Sequence, residues 1–220
     1  MSLLNRSYLN IFTQEEFVNI LKNNRENILS ILEHNHVHTL SKFLTDYSGA
    51  SIYELPTNET ITFLENTFKY WLKIINSTYV VEVCAGLGLF KRLFDEKNKQ
   101  YSYIATNDFS NEQYLTFNSR STFTEVKNLN VIQTLELYKQ KNPIIICFWI
   151  PDEFELIKLC EKYNIKIIIC IGNNKMMGNY DDLISNEYYN INEYDINTLS
   201  FKDKSNKRYS KVYIYVSKTL

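Results

Sequence analysis

Glycine and proline are scarce in this chain, which has five glycines and three prolines among 220 residues. Collagen-like and Gly/Pro-rich low-complexity proteins are excluded, because they need several times more of both. No apolar run approaches the roughly 18 to 20 residues that cross a bilayer, and the N-terminus lacks the charged-then-apolar order of a secretory signal. Hydrophobic residues make up 45% of the chain, enough for a sizeable core. We therefore expect a folded, cytoplasmic protein with no membrane partner.

An excess of charge of one sign is also missing, since 24 basic residues balance 25 acidic ones. No global field draws nucleic acid to such a surface, so a small-molecule or protein partner is slightly favoured. The one basic segment is interpreted as a solvated hairpin tip, and a nucleic-acid contact stays open as the alternative. It contains Lys202, Lys204, Lys207, Arg208 and Lys211.

The sequence has no CxxC pair, which argues against a zinc site or a disulfide framework. Its four cysteines stand far apart and are expected to be reduced and buried; they are Cys84, Cys147, Cys160 and Cys170. The alternation His34, His36, His38 would place three imidazoles on one face of a strand. No carboxylate or cysteine cluster nearby supplies a fourth ligand, so we predict no metal site.

The first third of the chain has helical periodicity. Thr13 and Glu16 have capping-box spacing, and apolar residues recur at helical intervals as far as Glu33, which predicts one helix over 13–33. A second helix is predicted over 59–75. We interpret residues 1–78 as an N-terminal helical cap.

From Tyr79 onward the pattern changes to short apolar runs that alternate with helical or polar stretches. Runs at 79–84, 101–106, 144–150 and 166–171 are typical of strands buried on both faces. Residues 188–196 and 212–216 are expected to form an antiparallel hairpin at the sheet's edge. Residues 79–220 are thus predicted to be an α/β domain, a doubly wound and mostly parallel seven-stranded sheet with an antiparallel C-terminal strand.

Two of the five glycines, Gly86 and Gly88, directly follow the first predicted strand and precede a helix predicted over 89–94. A glycine turn between strand and helix lets the backbone approach a ligand closely and directs helix N–H groups at it. The dinucleotide fingerprint GxGxxG needs a third glycine where Lys91 stands, which disfavours NAD. A plain tight turn remains the alternative.

The stretch Val81-Glu82-Val83-Cys84-Ala85-Gly86-Leu87-Gly88-Leu89-Phe90 resembles the first motif of class I S-adenosylmethionine-dependent methyltransferases, an acidic residue followed by GxGxG. Cys84 replaces the first glycine, which is tolerable if its backbone has an ordinary φ. The resemblance implies a Rossmann-like fold with S-adenosyl-L-methionine as cofactor. It places Ala85, Gly86 and Gly88 under the methionine part and Glu82 at its amino end. A side chain at Gly88 is expected to occupy ligand space.

The resemblance extends to the ends of the following strands. Asn107 and Asp108 compete for the two ribose hydroxyls, and Asp108 is favoured because a carboxylate offers two anionic acceptors. A strand-end turn is the alternative role for Asp108. By the same analogy Leu129 and Asn130 contact the adenine.

The acceptor side is predicted at the end of the strand over 144–150. Trp149 would stack on a planar acceptor or face the sulfonium of the cofactor, with a core position equally open. Asp152 is the candidate general base, although an Asp after Pro commonly caps a helix. The predicted function is direct methyl transfer to an O or N acceptor. The alternative is a methyltransferase-like scaffold that has lost turnover.

Overall fold

The helices and strands are seen in a computed structural model that describes residues 13–35, 54–97, 100–109, 122–151, 154–173, 177–178, 186–196, 199–200 and 210–220. The α-helices in these ranges are α1 (Gln14–Leu21), α2 (Arg25–His34), α3 (Asn58–Ile74), α4 (Leu89–Lys97), α5 (Val131–Tyr138) and α6 (Leu156–Lys162). The strands are β1 (Glu54–Leu55), β2 (Tyr79–Glu82), β3 (Ser102–Asn107), β4 (Lys127–Asn128), β5 (Ile144–Phe148), β6 (Ile167–Gly172), β7 (Tyr189–Asp195), β8 (Leu199–Ser200) and β9 (Lys211–Ser217).

The N-terminal periodic segment is two helices, so the prediction of a single helix over 13–33 was wrong. The capping box of Thr13 and Glu16 does begin α1. The chain leaves helical geometry after Lys22, and the Asn24 side chain then accepts a hydrogen bond from the Asn27 N–H to cap α2. Asparagine favours caps over helix interiors because its side chain competes for backbone hydrogen bonds.

The main sheet has seven strands in the order β4-β3-β2-β5-β6-β9-β7. Neighbours from β4 to β6 are parallel, whereas β9 runs antiparallel to both β6 and β7. The predicted fold class and the edge hairpin are both confirmed, with β9 inserted beside β6 and β7 outermost. A separate pair, β1 and β8, joins the N-terminal region to the C-terminal part of the chain.

Alternating strand residues feed two apolar clusters on opposite faces of the sheet, as parallel strands buried on both sides require. Val80 and Ile146 face a cluster completed by α1 to α4. Val81 and Ile145 face a cluster completed by α5 and α6. Phe17 of α1 belongs to the same cluster as Val80, so the cap packs directly on the sheet.

Several sequence features with no assigned role are located by the structure. All four cysteines are free thiols; Cys84 is half-buried and the other three are buried. Lys211 opens β9 and pairs with Glu193 and Asp195, and His34 ends α2. The other residues of the basic segment, with His36 and His38, lie outside the described residues.

None of the described helices is long and apolar enough to cross a membrane, and no metal-binding group of three ligands occurs among the described residues.

Candidate functional site

The glycine-containing loop 83–88 lies between β2 and α4, at the carboxyl edge of the sheet. Backbone bonds attach it to the neighbouring strand: the Ala85 N–H donates to the Thr106 carbonyl at 3.0 Å. The Gly86 N–H donates to the Asn107 side-chain oxygen at 3.2 Å. The loop is therefore held across the ends of β2 and β3, where open α/β sheets bind ligands.

The two glycines of the loop have different surroundings. Both have positive φ, +54° at Gly86 and +79° at Gly88. Among the described residues, a Cβ atom at Gly86 would meet nothing within 4 Å, whereas one at Gly88 would lie 2.6 Å from Val126 Cγ2 and 3.1 Å from Thr124 Cγ2. The expectation that a Gly88 side chain would enter ligand space is thus corrected: it would collide with the protein's own chain. Gly86 is the glycine that borders open space.

Cys84 also has a positive φ, of +54°. The condition set for tolerating cysteine here, an ordinary φ, is therefore not met. A β-carbon in the left-handed region costs about 1–2 kcal/mol. This residue occupies a position whose backbone suits glycine, and strain of this kind is concentrated at functional sites.

We expect Cys84→Gly to be more stable than Cys84→Ala by about 1 kcal/mol, because both variants lose the thiol and only alanine keeps the left-handed strain. Urea denaturation of the two variants measures the difference. Equal midpoints and slopes would contradict a strained Cys84. Asn142→Gly and Asn142→Ala form a matched pair at another left-handed residue, with φ +47°.

Asn107 and Asp108, the rivals for the ribose, are now distinguished. Asn107 is buried, with 5% of its surface exposed, and its side-chain oxygen accepts the Gly86 N–H. Asp108 follows β3 and is exposed, close enough to Cys84 to act on its pKa. Asn107 positions the loop, and the exposed Asp108 follows it in the chain.

Glu82 is the last residue of β2 and is only 2% exposed. The Tyr103 hydroxyl on the adjacent strand donates to its carboxylate at 3.1 Å. Burial raises the pKa of Glu82 to about 8, against the smaller opposing effects of Tyr103 and Lys91. At neutral pH this carboxyl is therefore largely protonated, and a cation brought next to it would favour its ionised form.

Leu129 and Asn130 precede α5. The Asn130 side-chain oxygen accepts the Gln133 N–H at 2.9 Å, and Gln133 reciprocates in a capping box. The Leu129 N–H donates to the Asn107 carbonyl at 3.1 Å. Both residues help to build the turn beside β3, and the Asn130 oxygen is committed to the helix cap.

Aromatic residues gather at the carboxyl end of β5. Phe148 stacks on Phe90 of α4, with ring centroids 3.3 Å apart and an interplanar angle of 19°. Trp149 has φ +55°, and a Cβ atom at Gly172 would lie 3.3 Å from its ring. Trp149 is half-buried, so its exposure is intermediate between that of a core residue and that of a residue open to the cleft, the two positions that the sequence left open. Asp152 lies outside the described residues.

Sequence reasoning missed Phe90, Phe148 and Tyr103, which contact or flank the predicted site residues. The available signal was position, since Phe90 directly follows the glycine motif and Phe148 directly precedes Trp149. Their mutual contact could not be read from the sequence, because helix α4 and strand β5 are distant along the chain.

No protein-family model matches the sequence, and no curated protein matches it. Three similar solved structures are methyltransferases by description. A Staphylococcus aureus protein described as a caffeoyl-CoA O-methyltransferase has 12% identity, 88% of this chain and 98% of that chain covered, and a TM-score of 0.49. Magnesium protoporphyrin IX methyltransferase of Synechocystis PCC 6803 has 9% identity, with 81% of this chain and 84% of that chain covered and a TM-score of 0.46. The plantazolicin methyltransferase BpumL has 10% identity, with 88% of this chain and 99% of that chain covered and a TM-score of 0.40.

The strand order carries the assignment of the fold. Numbered along the main sheet alone, it is 3-2-1-4-5-7-6 with the last strand antiparallel. This is a Rossmann-like α/β fold, the fold class that the sequence predicted. The loop after its first strand is the one that holds Gly86.

Proposed function

We propose that the chain binds S-adenosyl-L-methionine and transfers its methyl group to an O or N acceptor. The observation that carries the proposal is the open space beside Gly86, at a left-handed backbone position between the ends of β2 and β3. A loop of this kind approaches a ligand without side-chain obstruction. The residues around it fit the cofactor.

Three groups would hold the cofactor in this proposal. The backbone of residues 85–88 lies along the methionine part, and the exposed Asp108 accepts from the ribose hydroxyls. Glu82, buried beneath the loop, favours a cationic amino group because that charge stabilises its carboxylate. The Leu129 N–H donates to the carbonyl of Asn107, the residue before Asp108. In this proposal Leu129 borders the adenine.

The bound cofactor supplies an electrophilic methyl group on a sulfonium. The protein's contribution is to align the acceptor with that group and to exclude water, which needs few obligatory side chains. Trp149, half-buried at the carboxyl end of β5, is the residue that we propose stacks on a planar acceptor, whereas the ring of Phe148 stacks on Phe90. Asp152 is kept as the proposed general base. A small-molecule or protein acceptor is slightly favoured over nucleic acid, because the net charge of −1 gives nucleic acid no general attraction.

A second candidate, a methyltransferase-like binding protein without turnover, is favoured by two observations. Val126 and Thr124 fill the space over Gly88, and a strained cysteine stands at the first glycine position. Both features leave less room in and over the loop than an open glycine-rich turn would have. The space beside Gly86 stays open.

Thermal shift and calorimetry with S-adenosyl-L-methionine and its demethylated product test the binding. A ligand that binds only the native state raises its stability, so we expect a higher Tm with either compound. No shift and no heat at millimolar ligand would refute cofactor binding. Labelled cofactor incubated with fractionated lysate then separates the two candidates: label transfer supports the enzyme, and tight binding with no transfer to any fraction supports the scaffold.

We expect Asp108→Asn to weaken cofactor binding about tenfold, because one charge-assisted hydrogen bond contributes roughly 1.5 kcal/mol or more. Calorimetry of both proteins measures the change. Asp195→Asn is the matched control, since Asp195 lies on edge strand β7 with 89% of its side chain exposed. If the two variants bind alike, Asp108 does not hold the ribose.

A further inference from the structure

Cys84 and Cys147 are diagonal neighbours at the ends of the two central strands. The register pairs Glu82 with Ile146, and the Val83 N–H donates to the Ile146 carbonyl at 2.9 Å, so Cys147 lies opposite Val83 and Cys84 is one residue further along. Strand alternation alone would place Cys84 on the face of Glu82. Instead Cys84, with φ +54°, packs against the cluster on the opposite face, which contains Cys147.

Both side chains pack against the same face of the sheet, and the Cys147 thiol is close enough to Cys84 to act on its pKa. A strand spacing of about 4.8 Å and an offset of one residue, about 3.3 Å, correspond to a Cα separation of about 6 Å, within the range of roughly 4.4–6.8 Å between the Cα atoms of disulfide partners. Small movements of the loop therefore suffice to bring the sulfurs to bonding distance.

The two thiols differ in access and acidity. Cys84 is half-buried at the loop that borders open space, whereas Cys147 is fully buried. The Cys147 thiol lowers the pKa of Cys84, against the opposing effects of burial and of Asp108. The Cys84 side chain and burial raise the pKa of Cys147. A thiolate reacts with peroxide and a neighbouring thiol resolves the product, so Cys84 has the properties of the attacking residue.

We propose that Cys84 and Cys147 are a reversible redox pair, with a hydroperoxide as oxidant. The Cys84 thiolate attacks the terminal, OH-bearing peroxide oxygen and the O–O bond breaks; Cys84 becomes a sulfenic acid, and hydroxide leaves from hydrogen peroxide or an alkoxide from an organic hydroperoxide. The Cys147 sulfur then displaces the sulfenic oxygen as water, the thiol proton completes that water, and an S–S bond forms. Two electrons pass from the two sulfurs to the peroxide, and an external dithiol returns them.

The disulfide would regulate the ligand site, a consequence that rests on the proposed function. Cys84 stands two residues before Gly86, and the loop is fixed by bonds to Thr106 and Asn107 on the other side. Drawing Cys84 toward β5 moves the backbone that borders the open space. We expect the oxidised protein to bind S-adenosyl-L-methionine at least about tenfold more weakly, a difference of ~1.4 kcal/mol.

The experiment treats the full-length reduced protein with hydrogen peroxide, alkylates remaining thiols after denaturation, and maps linked peptides by mass spectrometry. We expect a Cys84–Cys147 linkage that dithiothreitol reverses. Cys84→Ala and Cys147→Ser should show no such linkage, whereas Cys160→Ser should behave like the unaltered protein, because Cys160 lies in α6 away from the loop. Circular dichroism checks that each variant is folded.

Two results would overturn the proposal: four alkylatable thiols after peroxide, or a linkage between other cysteines such as Cys147 and Cys170. Equal cofactor affinity before and after oxidation would overturn its regulatory part. Failure of the reduced protein to bind the cofactor would instead refute the proposed function, while the mapped linkage would still decide for or against the redox pair.

Discussion

Gly86→Asn is expected to remove S-adenosyl-L-methionine binding while the protein stays folded. Asparagine is among the residues that best accept a left-handed backbone, so φ +54° should cost at most about 1 kcal/mol. A Cβ at Gly86 meets no atom of the part of the chain that the structure describes within 4 Å, so the new side chain enters the space assigned to the cofactor. We expect affinity to fall by at least about 100-fold, or ~2.7 kcal/mol, measured by calorimetry.

Gly88→Ala is the contrasting variant, two residues away. Its β-carbon would lie 2.6 Å from Val126 Cγ2 at φ +79°, so crowding and backbone strain together should cost about 2–4 kcal/mol of folding free energy. Denaturant titration measures that loss. If Gly86→Asn destabilised the protein as much as Gly88→Ala, or bound the cofactor normally, the space beside Gly86 would not be a ligand site.

The difference between these two glycines shows where sequence reasoning stopped. The motif located both residues at the end of the first long strand, because a buried apolar run followed by glycines and a helix has few other interpretations. Which glycine borders open space depends on residues 124–126, nearly 40 positions further on. Contacts across such a separation are set by the tertiary fold.

The architecture was more predictable than the site, and for a physical reason. Strands such as β5 and β6 are continuous apolar runs because both faces are covered, and that pattern is local. The break between α1 and α2 was missed because apolar periodicity continues through it. Only the capping preference of Asn24 marks the break, and asparagine is too common in this chain to be a signal.

Backbone conformation was the least predictable feature of the site. Cys84 and Trp149 both have positive φ at strand ends, although neither residue type favours it. Their conformations follow from the loop's hydrogen bonds, including Trp149 N–H to the Ile171 carbonyl at 2.8 Å. A sequence alone gives no indication of bonds between neighbouring strand ends.

Glu82→Gln is expected to make the protein more stable at pH 8 and to flatten its pH dependence. Burial raises the pKa of Glu82 to about 8 from 4.5, so between these values the folded state binds more protons than the unfolded state. Stability from this group is therefore present at low pH and is lost as the pH rises toward 8, by about 3–4 kcal/mol between pH 5 and pH 8. Glutamine keeps an acceptor for the Tyr103 hydroxyl and has no charge to bury.

Denaturation at pH 5, 6, 7 and 8 distinguishes this effect from a general change in charge. Glu33→Gln, at an exposed position in α2, is the control for the loss of one carboxylate from the chain. A slope unchanged in Glu82→Gln would show that the carboxylate is solvated or paired in the folded protein.

A cofactor whose ammonium group reaches Glu82 must displace the proton bound there. Its binding to the unaltered protein should therefore release protons at pH 7 and become stronger toward pH 8. Binding to Glu82→Gln should show neither effect. Calorimetry in two buffers of different ionisation enthalpy measures the number of protons released per cofactor bound. The same number for the unaltered protein and for Glu82→Gln would show that Glu82 does not contact the cofactor.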